Sequence, residues 1–270
     1  MKLWGKQSMI LDIMSLQFNT VVFGPIKSRR LGNSLGVNLL PAFGKVCNFD
    51  CIYCECGWNK DGRDGGEMPA KEIVRDSLES KLIQIVSENI PVDSITFSGN
   101  GEPTLHPQFS DIIDDVIDLR DKYLPGAKIT VLSNGGRIDR EDVKNAMLKV
   151  DNPVIKLDSA NDKTANLIDR PQFEYRVCDV LNKLAPFAGR FVLQTIFIRG
   201  IFDGVKFDNT TKEELTAWYD FIDKSRPRDI MVYTTDRDTP SQSVEKISEQ
   251  ELNNIAAPLV SKGYKVIIAG

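Results

Sequence analysis

Four of the five cysteines fall within ten residues, at Cys47, Cys51, Cys54 and Cys56 in "CNFDCIYCECGW" (47–58), while Cys178 stands far downstream. Crowded thiols serve a disulfide framework, a zinc site or an iron–sulfur cluster. Where thiols stay reduced, metal binding outweighs disulfide formation. Zinc modules usually draw their ligands from two separated pairs; here the fourth cysteine follows the third after a single residue, and no second pair exists. A C-x₃-C-x₂-C trio, with Tyr53 just before its third member, can instead hold three irons of a 4Fe-4S cube. That leaves one iron without a protein ligand, whereas a cluster serving only electron transfer usually has four cysteines. An open iron can bind a cofactor. The alternative is a Cys₄ zinc site completed by Cys56, in a non-catalytic metal-binding scaffold; otherwise Cys56 reads as a bystander.

Other residues with chemistry to offer follow strand-like runs. "GNGEPTLHP" (99–107) sets Gly99 and Gly101 around Asn100, which lets backbone groups approach a ligand closely, and Glu102 adds a carboxylate. "VLSNGG" (131–136) ends in Ser133 and Asn134, which can hydrogen-bond a ribose or carboxylate, although Asn-Gly is equally a turn signal. "KLDSAN" (156–161) places Lys156 and Asp158 on one side of a strand and Leu157 on the other, as ligand contacts, a buried pair or a solvated pair. Gln194 sits among apolar residues and requires a hydrogen-bond partner. Arg29, Arg30, Lys45, Arg170 and Arg237 read either as clamps for an anionic substrate or as solvated basic positions. His106, the single histidine, reads as structural, and Cys178 as a small buried hydrophobe.

The elements that must position these groups alternate. Strand-like runs occur at 36–40, 94–98, 128–133, 153–158, 190–198, 229–234 and 264–269. Helix-like stretches lie between them, at about 69–88, 107–123, 139–149, 175–187, 211–225 and 248–262. The first carries a stripe of Ile73, Val74, Leu78, Leu82, Ile85 and Val86. Thr210 or Thr211 can cap the fifth, with Glu213 or Glu214 answering. Such alternation argues for parallel strands joined by right-handed helical crossovers, in either an open doubly wound sheet or a partial barrel, with ligands at the strands' carboxyl ends.

The chain has 270 residues, 34 basic and 38 acidic side chains and a net charge of −4. That balance weighs against a substrate gripped mainly through nucleic-acid phosphates. No apolar run approaches the roughly 18–20 residues that span a bilayer, and "SMILDIMSLQF" (8–18), interrupted by Asp12, does not read as a signal peptide. A cytoplasmic location is expected, with no membrane partner. "DGRDGGE" (61–67) reads as a polar loop.

The cysteine trio with its penultimate aromatic, followed in order by "TFSGNGEPTLHP", "LSNGG", "KLDSANDKTANLIDRP" and "VYTTDRDTP", resembles the radical S-adenosylmethionine (radical SAM) superfamily. With "FGPIKSRRLGNSLGVNLLP" (23–41) and "IDRP" (168–171), the likeness narrows to the branch of the wyosine-forming tRNA enzyme (4-demethylwyosine synthase) and its bacterial relatives, from about Val21 onward. The resemblance implies an α/β partial (β/α)₆ TIM-like barrel as a core domain at 21–270, after an N-terminal extension at 1–20. It implies cluster ligation by Cys47, Cys51 and Cys54 and S-adenosylmethionine contacts from Tyr53, Gly99, Asn100, Gly101, Glu102, Ser133, Asn134, Lys156, Asp158 and Gln194. It further implies a flavodoxin- or ferredoxin-like electron donor, reductive cleavage of the cofactor and hydrogen abstraction by a 5′-deoxyadenosyl radical. The tRNA enzyme's family carries a second cluster on cysteines upstream of the trio, and this chain has none before Cys47. A peptide or protein substrate therefore competes with tRNA.

Overall fold

The computed structural model describes residues 18–59, 66–237 and 239–270. Of the expected extension at 1–20 only its last three residues are described, and most of the 61–67 loop also lies outside the described residues. The strands are β1 (Val22–Ser28), β2 (Gly32–Val37), β3 (Ser94–Phe97), β4 (Lys128–Ser133), β5 (Asn152–Lys156), β6 (Val192–Ile196), β7 (Ile198–Phe202), β8 (Val205–Asp208), β9 (Asp229–Tyr233), β10 (Val244–Lys246) and β11 (Lys265–Ala269). The α-helices are α1 (Lys71–Ser87), α2 (Phe109–Tyr123), α3 (Glu141–Lys149), α4 (Asp162–Asp169), α5 (Val177–Leu184), α6 (Lys212–Ser225) and α7 (Glu249–Ser261).

The main sheet runs β1-β2-β3-β4-β5-β6-β9-β11. Every neighbouring pair from β2 to β11 is parallel, and β1 is antiparallel on the β2 edge. Helical crossovers return the chain after each parallel strand, as the alternation of sequence periods requires. The two ends of the sheet do not pair, so it forms a curled part-barrel, as expected. Its outer face (Ile95, Phe97, Ile129, Val131, Ile155, Leu193, Ile230 and Val232) belongs to the core under the helices. Its inner face carries a second, small apolar cluster of Val154, Val192 and Met231, against which Leu31, Leu132 and Ile267 pack. Burial on both faces explains why these strands read as nearly continuous apolar runs.

Local expectations were corrected in places. In α1 the buried stripe is Val74, Leu78, Leu82 and Ile85; Ile73 and Val86 are exposed, because a straight helix turns only one side to the sheet. The run 190–198 does not stay one strand. Buried Asn209 bonds the Ile196 carbonyl and the Ile198 amide on either side of Phe197, and β7 then leaves to form a small sheet ordered β10-β7-β8. Thr211 caps α6 by accepting from the Glu214 amide, but the Glu214 carboxylate bonds Ser159 and Thr164 rather than the cap. Cys178 is exposed, not a core residue, since α5 turns Val177, Val180 and Leu184 inward instead.

His106 is structural. Its Nδ1 accepts from the Gln108 amide at 3.1 Å, so Nε2 carries the proton and donates to the Pro69 carbonyl at 2.9 Å. Burial lowers its pKa. A second proton on Nδ1 would break the bond to Gln108, so the fold holds the neutral ring. The contribution is complete above the unfolded value of about 6.5 and is lost as pH falls through the lowered folded value. Urea titrations from pH 7 to 5 are expected to show falling stability in the native chain and a flatter profile in His106→Asn.

Candidate active site

The cysteine loop follows β2 and is held from two sides. Val46 forms an isolated parallel bridge with Gly101, through hydrogen bonds from its amide to the Asn100 carbonyl and from the Glu102 amide to its carbonyl. Phe49 bridges Pro171, while the Asp50 and Ile52 amides bond carbonyls at the end of α4. Turns at Cys54 and Gly57 fold the segment back on itself. Asn59 locks it, donating to the carbonyls of Cys47 and Phe49. The trio thus rides on a braced loop at the carboxyl end of the first parallel strand.

Lys45 is the first correction here. It is neither solvated nor free to clamp a substrate: it is 2 % exposed, and its Nζ lies 3.1 Å from the Gly57 carbonyl and 3.4 Å from Asp50. Burial alone would lower its pKa, but Cys54, Cys51, Cys47 and Asp50 around it raise the value above the usual lysine range. Burial pushes the Cys47 thiol up to about 12. Cys54 is brought down to about 6, chiefly by a hydrogen bond from Cys56, with Lys45 assisting against burial. Cys56 itself rests 3.3 Å from the Gly99 carbonyl.

The glycine loop packs directly against the cysteine loop. A Cβ on Gly101, at φ +134°, would stand 1.9 Å from the Val46 carbonyl oxygen, and one on Gly99, at φ +145°, would stand 2.3 Å from Asn38 Oδ1. The missing side chains therefore admit the chain's own cysteine loop and Asn38. Asn100, expected as a cofactor contact, is fully buried and donates to the carbonyls of Phe18 and Pro41. Phe18 is thereby tied into the core although it falls in the expected extension. Glu102 accepts from Thr104 and Ser133 on one oxygen and from the Asn134 amide, at 2.7 Å, on the other. Burial raises its pKa despite those bonds. Asn134 continues to the cluster loop, donating to Asn48 at 2.7 Å and reaching Cys47 Sγ at 3.5 Å. Gly101→Ala is expected to cost at least about 2 kcal/mol through strain and the backbone collision and to lower iron uptake. Urea melts and iron assays measure both, and a neutral result would show that the Val46 bridge is dispensable.

Lys156 and Asp158 form a buried pair, not a solvated one. Lys156 Nζ meets Asp158 at 3.0 Å and Asp169, from the end of α4, at 2.5 Å. It lies 3.6 Å from Cys51 Sγ and over the Phe49 ring. Tyr53 donates its hydroxyl to Asp158. One ammonium serves two carboxyls here. Burial drives Asp169 well above the usual carboxylate range, Lys156 offsets only part of this, and Asp158 beside it adds to the rise. Lys156 is raised well above its ordinary value because both aspartates and Cys51 outweigh its own burial. Gln194 lies beside Lys156 across the β5–β6 register and leaves its Nε2 buried without a partner among the described residues.

A model of the radical SAM superfamily matches residues 42–204. The chain belongs to the radical SAM superfamily. This radical SAM chain is 31% identical over 236 residues to a UPF0026 protein of Helicobacter pylori (strain J99), covering 86% of this chain and 71% of that one. It is 32% identical over 228 residues to a UPF0026 protein of Methanocaldococcus jannaschii, covering 84% and 67%. A protein named GTPase Obg from Brachyspira hyodysenteriae is 28% identical over 235 residues; the match covers 86% of this chain but spans only about a third, 32%, of that protein. Among solved structures, a radical SAM methyltransferase from Sphaerobacter thermophilus superposes with a TM-score of 0.63 at 14% identity, over 87% of this chain and 65% of that one. Streptococcus suis SuiB bound to S-adenosylmethionine gives 0.62 at 16% identity, over 88% and 52%. At such identities these structures speak for the fold.

The residues present fit the superfamily's cluster. A single ion needs donors that converge on one point, and among the described residues no group of three or more His, Cys, Asp or Glu does so. A cube asks for one thiolate at each of three irons. The trio offers them with two cations alongside, the buried Lys45 and the mostly covered Lys156. Sequence reading missed Lys45 as a neighbour of the three thiols and missed the Asp169 carboxylate. A lysine two residues before the first cysteine was a usable signal. Asp169 was legible only inside the "IDRP" (168–171) resemblance, because twelve residues, most of α4 among them, lie between it and Lys156.

Proposed function

We propose that this protein is a radical SAM enzyme in which Cys47, Cys51 and Cys54 hold a 4Fe-4S cluster and S-adenosylmethionine binds beside it at the carboxyl ends of the strands. When bound, the cofactors supply one-electron cleavage of the sulfonium and removal of a hydrogen atom from the substrate. The carrying observation is the three-thiol loop, braced at the end of the first parallel strand of a radical SAM chain with no fourth ligand at cluster spacing. Lys45 and Lys156 offset the negative charge that three thiolates would bring into a buried site. Glu102 joins the glycine loop to Ser133 and Asn134 and so keeps two strand ends in register. The apolar inner face formed by Val154, Val192 and Met231 limits water beneath the reaction chamber. The reductant is a flavodoxin- or ferredoxin-like protein, and the reaction belongs to the cytoplasm, where thiols remain reduced.

A peptide or protein substrate is favoured by the net charge of −4, which suits a polyphosphate chain poorly. A tRNA substrate is what membership of the wyosine-forming branch would require. Salt-dependent tRNA binding would favour that branch; co-purification of a protein partner would favour the first reading. The chemistry itself is tested by anaerobic reconstitution. The expected protein is brown, with about four irons, and on reduction it releases methionine and 5′-deoxyadenosine from S-adenosylmethionine. Protein holding one zinc and no sulfide would overturn the proposal.

A further inference from the structure

Two side chains at the inner face of the curled sheet carry buried donors that have no acceptor among the described residues. Arg30, in the turn between β1 and β2, has a buried Nη1 without a hydrogen-bond partner, and Gln194 on β6 has a buried Nε2 in the same condition. The turn folds inward, because Leu31 packs on Val154, Val192 and Met231. The Arg30 guanidinium lies 4.4 Å from the centroid of the Tyr233 ring. Gln194 lies on the same face of the sheet. It pairs in register with Lys156 on one side and Met231 on the other, and Tyr233 is two residues beyond Met231 on β9.

Neighbouring cations are satisfied, and Arg30 is not. Arg29 donates to the Gly270 carbonyl at 2.7 Å and pairs with Asp236 at 3.4 Å, while Lys156 holds two carboxyls. Buried guanidinium and amide N–H groups are costly to leave unmet and are normally paired. A flat cation supported on an aromatic ring, with a neutral donor on the same face of the sheet, complements the oxygens of an anion.

We propose that Arg30 and Gln194 form an oxyanion-binding site inside the curl, which takes the carboxylate or phosphate of the substrate. Gln194 is thereby reassigned from the cofactor to the substrate. The proposal rests on the radical SAM reading only in treating this chamber as the place of reaction. Calorimetric titration of the cluster-loaded protein with inorganic phosphate and with succinate tests it, alongside separate titration with S-adenosylmethionine. The native protein is expected to bind one or both anions at a single site. Arg30→Met is expected to weaken that binding roughly tenfold or more, the scale of a lost charge-assisted hydrogen bond, and to raise the thermal midpoint without ligand by removing the unmet donor. Gln194→Leu is expected to weaken it less, and neither substitution to change affinity for S-adenosylmethionine. Absence of anion binding in the native protein, or equal affinity in Arg30→Met, would refute the site. A lowered midpoint in Arg30→Met would make Arg30 structural. A parallel loss of S-adenosylmethionine affinity would assign the donors to the methionine carboxylate and overturn the substrate site. Iron content and cofactor cleavage in the native protein report separately on the proposed function.

Discussion

Alanine at Cys47, Cys51 or Cys54 is expected to strip the cluster iron and abolish reductive cleavage of S-adenosylmethionine, each substitution alone sufficing. The reason is stoichiometric. Three thiolates serve three irons; Cys178 is exposed on α5, far along the chain, and Cys56, which rests against the Gly99 carbonyl, is read as a bystander. The losses differ in what remains. Cys47→Ala removes the acceptor of the Phe49 amide and the Asn134 side chain. Cys51→Ala leaves Lys156 with its two carboxyls. Cys56→Ser should retain iron, because its sulfur is no ligand in this reading. Iron and sulfide analysis with quantitation of 5′-deoxyadenosine checks the series. Continued cleavage in any of the three alanine variants would defeat the assignment, and loss of iron in Cys56→Ser would reinstate a four-cysteine site.

Lys156→Met carries the largest expected loss of stability, about 3–5 kcal/mol at neutral pH, the usual scale for removing one partner of a buried ion pair. It leaves Asp158 and Asp169, with side chains 0% and 1% exposed, facing each other without a cation. Asp169, already held above the usual carboxylate range by burial, would lose the cation that offsets part of that rise. Groups so raised favour the fold below the unfolded pKa and lose that contribution as pH rises through the folded one. The deficit should therefore shrink toward acid pH and grow toward neutrality, and adding Asp169→Asn should recover part of it. Urea unfolding of the three proteins between pH 4.5 and 7.5 measures the effect. A loss below about 1 kcal/mol, as for an exposed pair, would contradict the buried network.

The sequence by itself determined the parallel strands and the three-thiol loop. Both are local: an apolar run of one period is enough to specify a strand buried on two faces, and ligand spacing is a property of consecutive residues. Cap residues such as Thr211 were legible for the same reason. The tertiary structure alone decided what surrounds the thiols. Asp169 meets Lys156 only because α4 ends under the cysteine loop. Gly99 and Gly101 also admit Asn38 and the Val46 carbonyl, a loop-to-loop packing that no local pattern announces. Lys45 is buried and Cys178 exposed against their usual preferences, since the cysteine loop folds over one while α5 turns the other outward. Arg30 reaches the inner face beside Tyr233 because the sheet curls and its first hairpin folds inward. Curvature accumulates over many strands, and no short stretch of chain records it.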